Sequence, residues 1–214
     1  MVDFAAARRN MVEGQIRPAD VTDLRVVSAM FDVPRERFVP NAELAYLDID
    51  IPLAEGAQAR RLLKPVVIGR LLQALAPASQ DRALDVACGT GYSAALLASL
   101  SGEVIAVEDD LALVKQAQKN LGSGVKVVAG PLNLGWPGGG PYDVILLNGA
   151  TEVVPESLFS QLKDGGRLAC VLGTGRAGRA MLYLRSGSEV GGRPLFDAAA
   201  PLLPGFAKTP EFTF

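Results

Sequence analysis

Asp81–Asn120 reads DRALDVACGTGYSAALLASLSGEVIAVEDDLALVKQAQKN, and the rest of the chain is arranged around it. A short apolar run, Ala83 to Ala87, predicts a strand. Cys88-Gly89-Thr90-Gly91 is a turn of small residues. Helical periodicity follows from Tyr92 to about Leu100. A second apolar run, Val104 to Val107, ends at Glu108, and another helical pattern covers about Leu111 to Leu121. Strand, glycine turn, helix, strand, acid, helix is the opening of a nucleotide-type βαβ unit.

The chemistry of this unit is specific. Gly89 and Gly91 carry no Cβ, so the turn can tighten and a ligand can approach the backbone closely. A helix starting near Tyr92 presents its free N–H groups to the same space. Glu108 follows Asp85 by 23 residues and stands at the end of the second strand, where an acid accepts both hydroxyls of a ribose. The turn reads D-x-A-x-G-x-G rather than G-x-G-x-x-G, and no P-loop lysine is present. Little here holds a pyrophosphate. A nucleoside whose charge lies elsewhere fits better, and S-adenosylmethionine is the common one.

Composition narrows the classes. The 214 residues suffice for one domain or one domain with an appendage. Hydrophobic residues make up 49% of the chain, enough for a large core. Net charge is −2, which argues against nonspecific nucleic-acid binding. No apolar run approaches a membrane span, and the N-terminus lacks the apolar stretch of a secretory signal. The two cysteines, Cys88 and Cys170, suit a reducing cytoplasm and supply no zinc set. With no histidine, Ser-His-Asp and Cys-His chemistry is excluded, and a transition-metal site is not expected.

Upstream, residues 1 to about 76 read as helical and irregular. Phe4 to Val12 fits an amphipathic helix. Thr22 is placed to cap a second helix reaching Phe31, with Leu24, Val27 and Met30 on its apolar face. Val33 to Pro40 is a turn-rich connector, and Pro65 opens a helix through Leu75. Downstream, Val125 to Ala129 is a third strand, Gly130 to Gly140 a glycine- and proline-rich loop, and Tyr142 to Asn148 a fourth strand. Pro155 to Leu162 predicts a helix, stopped by Lys163-Asp164-Gly165-Gly166, and Arg167 to Leu172 a fifth strand. Ala180 to Arg185 and an irregular stretch from Pro194 to Phe206 read as the last strands. The alternation implies an α/β fold with a doubly wound parallel sheet and right-handed crossovers.

Several segments together are similar to a known family. They are MVEGQIRPADVTDLRVVSAMFDVPRERFVP near the start, IPLAEGAQ, LDVACGTGY, LNLGWPGGGPYDVILLNGATEVVP and LKDGGRLACVLG. From about Met11 to Phe206 the chain resembles the protein-L-isoaspartate O-methyltransferases. The glycine turn alone indicates only a class I methyltransferase; the N-terminal stretch and the LGWP loop are more specific. The resemblance implies a seven-strand Rossmann-like sheet (77–214) with an N-terminal helical cap (1–76), read as one domain over 1–214. It further implies S-adenosylmethionine as cofactor and methyl transfer to the carboxylate of isoaspartyl residues in damaged proteins. Its cofactor positions fall on Asp85, Ala87, Gly89, Gly91, Glu108, Gly130, Pro131, Leu132 and Asn148. A carboxylate acceptor is already anionic at neutral pH, so no general base, and no histidine, is required.

Departures from the family pattern fall at the site. The family hydroxyl two residues before the proline that opens the helix corresponds to Leu63. The acid that follows the third strand and contacts the adenine amino group is Pro131. The first glycine of the turn is Ala87. Two readings follow: a working methyltransferase with a shifted pocket, or a divergent paralogue that binds the cofactor and acts on another acceptor or as a binding protein. In the first, Thr90, Asn133 and Asn148 are candidate replacement polar contacts, and Arg60, Arg61 or Lys64 candidates to hold an anionic acceptor. Asp85 is read as orienting the turn, Cys88 as a small filler, Tyr92 as either bordering the cofactor or packing a helix, Trp136 as a loop anchor, and Asp143 as a strand-start residue.

Overall fold

A computed structural model describes residues 2–55 and 60–208. Most of the Ala-Glu-Gly-Ala-Gln stretch at 54–58, which resembles the family loop, lies outside the described residues, as does Ala59.

The N-terminal part is helical. Helix α1 (Phe4–Met11) starts where the Asp3 side chain accepts from the Ala6 N–H, and it runs into a π-helical turn at Val12–Ile16. Helix α2 (Leu24–Asp32) is capped by Asp23 rather than Thr22. The buried face is Val26, Val27, Ala29 and Met30, while Leu24, in the first turn, is 69% exposed. Arg8 ties this region together by donating to Tyr46, the Phe31 carbonyl and Glu36. A two-residue hairpin, β1 (Ile51–Pro52) and β2 (Arg61–Leu62), follows. Helix α3 (Pro65–Leu75) then begins at proline, whose missing N–H costs nothing in a first turn.

The remaining elements are β3 (Arg82–Val86), α4 (Tyr92–Ala98), β4 (Glu103–Glu108), α5 (Leu111–Leu121), β5 (Lys126–Ala129), β6 (Tyr142–Thr151), α6 (Glu156–Phe159), β7 (Leu162–Leu172), β8 (Arg179–Ser186) and β9 (Glu189–Asp197). Among the described residues β3 to β9 form one seven-stranded sheet in the order β5-β4-β3-β6-β7-β8-β9. Five strands are parallel, as the sequence predicts. β8 is reversed, pairing antiparallel with both β7 and β9. Gly187-Ser188 alone joins β8 to β9, and so short a link can only fold the chain back as a hairpin.

Successive side chains of the parallel strands alternate between two apolar layers. Ala83, Val104, Ala106, Val144 and Leu146 face α3, α4, α5 and the cap. Leu84, Val86, Ile105, Val107, Ile145 and Leu147 face the other way, where Leu132, Leu158, Leu203 and Phe206 cover them. Burial on both sides explains why these strands read as unbroken apolar runs. The 130–140 loop and the 198–206 tail therefore cover a sheet face. The expected helix over Pro155–Leu162 shortens to four residues. Gln161 ends it by accepting from the Trp136 N–H and donating to the Leu134 carbonyl, and its own carbonyl accepts from Tyr142 N–H to start β7.

Candidate functional site

The glycine turn and Glu108 meet as the βαβ reading requires. Gly89 and Gly91 adopt φ of +57° and +99°, conformations open to glycine. The turn closes through the Gly91 N–H on the Cys88 carbonyl at 2.9 Å. It is also pinned from outside: Thr90 donates its hydroxyl to the Phe38 carbonyl, and Asn120 donates to the Thr90 carbonyl. Glu108 is fully buried at the end of β4 and accepts the Gly89 N–H at 2.8 Å and the Asp109 N–H at 3.0 Å. Ala87 lies in the same left-handed region at φ +61°. The change from glycine there strains the backbone, because an L side chain costs about 1–2 kcal/mol in that conformation.

Arg60 comes down on this acid. Its Nη2 donates to Glu108 at 2.9 Å and to Asp109 at 2.6 Å, and its Nε faces both Glu108 oxygens at 3.3 Å. Its side chain is 8% exposed. Arg60, a candidate to hold an anionic acceptor, is thus engaged by two carboxylates of the chain itself. The Leu53 N–H donates to the Arg60 carbonyl across the hairpin, and both side chains reach the turn. A Cβ built on Gly89 falls 2.6 Å from Leu53 Cδ1 and 3.7 Å from Arg60 Cγ. Burial pushes the Glu108 carboxyl upward, and Arg60 pulls it back.

Beneath the turn lies a second polar cluster. Asp85, fully buried, accepts from Asn148 Nδ2 at 2.5 Å and from the Ser93 hydroxyl at 2.7 Å. Burial drives its pKa up to about 7 against both donors. Burial also raises the Cys88 thiol well above its ordinary range. A thiol held protonated is a poor nucleophile, in keeping with the reading of Cys88 as filler.

Gly130, Pro131 and Leu132 follow β5 beside the Glu108 strand end. The Gly130 N–H donates to the Glu108 carbonyl, Leu132 is buried, and Pro131 is exposed. Trp136 packs over Gly130, with ring carbons 3.7 Å from a Cβ built there. Its carbonyl accepts from the Tyr142 hydroxyl. It anchors the loop, as its sequence reading had it. Asp143 likewise sits at a strand start, accepting from the Arg82 N–H and Lys163.

Positions expected around the acceptor are dispersed. Leu63 is 1% exposed and lies in the core beneath the cap. The Thr90 hydroxyl is spent on Phe38, and the Asn133 side chain lies against Gly205. Arg61 donates to the Asp50 carbonyl, and the Lys64 backbone N–H is held by Asp50. Tyr92 packs into the cap, edge-on to Phe38 and beneath Arg35, whose Cζ is 4.8 Å from the ring centre. Arg35, which sequence reasoning missed, is fully buried and has no salt-bridge partner among the described residues. It donates to the Ala45 and Leu63 carbonyls at 2.7 Å each. Nothing in a local pattern marks a buried arginine, because its partners are carbonyls of distant segments. Leu53 and Ser93 were also missed. A cavity of about 370 Å³ opens beside the turn among Phe38, Leu53, Thr90, Asp110 and Leu113. Among the described residues no cluster of three metal-ligating side chains occurs, and no helix is long and apolar enough to cross a membrane.

The donor set suits an adenosyl group. A tight main-chain turn faces a buried carboxylate whose two oxygens meet two adjacent donors, here those of Arg60, as a vicinal diol would present them. Comparison with known proteins agrees. The family model described as Protein-L-isoaspartate(D-aspartate) O-methyltransferase matches residues 6–193. A protein-L-isoaspartate O-methyltransferase of Methanoculleus marisnigri is 38% identical over 172 residues, covering 78% of this chain and 77% of that protein. One from Methylorubrum extorquens is 39% identical over 176 residues, covering 80% and 76%. The fold matches a solved protein-L-isoaspartate O-methyltransferase with TM-score 0.82 at 24% identity, over 92% of this chain and 66% of the other. It also matches a Plasmodium falciparum structure ascribed to the same enzyme class, in complex with S-adenosyl-L-homocysteine, with TM-score 0.79 at 19% identity over 95% and 99%. The chain belongs to the protein-L-isoaspartate (D-aspartate) O-methyltransferase family.

Proposed function

We propose that this protein methylates the free carboxylate of isoaspartyl residues in damaged proteins, using S-adenosylmethionine. Family membership over most of the chain supports the reaction, and the observation that carries it to a site is the buried Glu108 carboxylate laced to the glycine turn. The family relationship favours this reading over a divergent binding protein.

In this reading the turn Ala87–Gly91, Glu108 and residues 130–132 hold the cofactor. Glu108 accepts the ribose hydroxyls, because its oxygens already meet two adjacent donors in that position. Residues 130–132 border the adenine, with Leu132 giving an apolar wall. Asp85 and Asn148 lie buried beneath the turn and fix β3 against β6, so they position the cradle from below. When bound, the cofactor supplies an electrophilic methyl on a sulfonium with a neutral leaving group. The acceptor carboxylate is itself the nucleophile, so the protein's task is alignment of acceptor and donor in line. No proton need be removed, which agrees with a chain lacking histidine.

Mixing the protein with methyl-labelled S-adenosylmethionine and an isoaspartyl peptide tests the assignment. Base-labile label on the peptide is the expected result. No label above that on an aspartyl control rejects the isoaspartyl acceptor.

A further inference from the structure

The most unusual feature of the site is the cation seated on its acid. Arg60 offers Nε and Nη2, adjacent donors in one plane, to the two oxygens of Glu108. A ribose diol offers two adjacent hydroxyl donors to the same oxygens. The remaining approaches to Glu108 are taken by backbone N–H groups of Gly89, Asp109 and Asp110, at 2.8, 3.0 and 3.4 Å. Both donor pairs therefore cannot be accommodated together. From the facing limb of the hairpin, Leu53 lies over Gly89 beside Arg60.

We propose that Arg60 is a built-in competitor for the ribose-binding carboxylate, and that cofactor binding exchanges Arg60 from Glu108 onto Asp109 alone. This rests on the reading of Glu108 as the ribose acid. Three observations support an exchange rather than a permanent plug. Asp109 already holds Arg60 at 2.6 Å and is itself 35% exposed, so a second anion receives the guanidinium at the rim. The Arg60 backbone is paired to Leu53, so rotation about the side-chain bonds suffices and the hairpin register survives. Glu108 stays fully hydrogen-bonded on release, because three backbone N–H groups and the hydroxyls that replace Arg60 still donate to it. Asp109, freed from no partner, keeps its ion pair throughout. The arrangement makes apparent cofactor affinity equal to the intrinsic affinity reduced by the fraction of molecules in which Arg60 is off Glu108.

Calorimetric titration with S-adenosyl-L-homocysteine on the full chain tests this. R60M, which keeps the side-chain length without the donors, is expected to bind roughly tenfold tighter than the parent, corresponding to a competent fraction near a tenth in the parent. Equal or weaker binding by R60M overturns the exchange. In the R60M background, E108Q then reports the carboxylate alone. A loss with E108Q, when R60M itself gained nothing, leaves Glu108 as the ribose acid and removes only the competition. No loss with E108Q removes the ribose role and the exchange together. A second readout needs no variant: phenylglyoxal modification of Arg60, followed by peptide mapping, is expected to run several-fold faster in the ligand complex as the side chain moves to the rim. Protection of Arg60 by the ligand, or an unchanged rate, contradicts the proposal even if R60M proves too unstable to assay.

Discussion

Asn148 Nδ2 donates to Asp85 Oδ1 at 2.5 Å, joining two neighbouring parallel strands beneath the glycine turn. Ser93, from the helix that follows the turn, completes the cluster on Oδ2. Strand β3, strand β6 and helix α4 are thus fixed to one buried carboxyl group, and the cradle above inherits their geometry.

That carboxyl makes stability depend on pH. Burial outweighs both donors and raises the Asp85 pKa to about 7. Between roughly pH 4 and 7 the folded protein holds a proton that the unfolded chain has released. Unfolding then releases a proton, so stability falls as pH rises through this window and levels off above it. Chemical denaturation of D85N against the parent is expected to show a flatter profile between pH 5 and 7, the difference amounting to on the order of a few kcal/mol across the full shift. Parallel profiles would place the carboxyl outside this linkage.

Ala87 carries a methyl group in a conformation that suits glycine. A87G removes about 1–2 kcal/mol of backbone strain and adds about 0.5–1 kcal/mol of unfolded-state entropy. A net stabilisation of about 0.5–1 kcal/mol in urea midpoint analysis is the expected outcome. A destabilised A87G would show that packing of the methyl group outweighs the strain.

Arg35 holds the Ala45 and Leu63 carbonyls from a fully buried position. R35A strands both carbonyls and leaves a cavity, at a cost of roughly 3–5 kcal/mol. R35K retains a donor and most of the volume and is expected to lose less. Equal losses in the two variants, measured by equilibrium unfolding, would argue that volume matters and the donors do not.

Restoring the family residues one at a time should have opposite consequences. L63S places a hydroxyl where Leu63 is 1% exposed, and costs about 3 kcal/mol without raising methyl transfer to an isoaspartyl peptide. Pro131 is exposed, so P131D is expected to shift stability by no more than about 0.5 kcal/mol. A gain of activity in L63S would bring position 63 to the acceptor after all.

Much of this was legible in order along the chain. The ends of α3 were read to the residue, and those of α5 approximately, from proline placement and apolar spacing. The parallel strands β3, β4 and β6 were visible because burial on two faces leaves an unbroken apolar run. Two boundaries differ: Gln161 shortened α6 through tertiary contacts, and Asp23 took the cap position from Thr22 through a local hydrogen bond to the Arg25 N–H.

The sequence alone determined the strand–turn–helix unit and put Gly89, Gly91 and Glu108 in their relative order, since those features rest on backbone freedom and side-chain periodicity within a few residues. Only the tertiary structure decided that Arg60 lies on Glu108, 48 residues away, and that Leu63 turns into the core rather than toward an acceptor. Such pairings depend on the path by which the hairpin returns to the sheet. No periodicity records that path, because it is set by the summed packing of the cap against the strand ends.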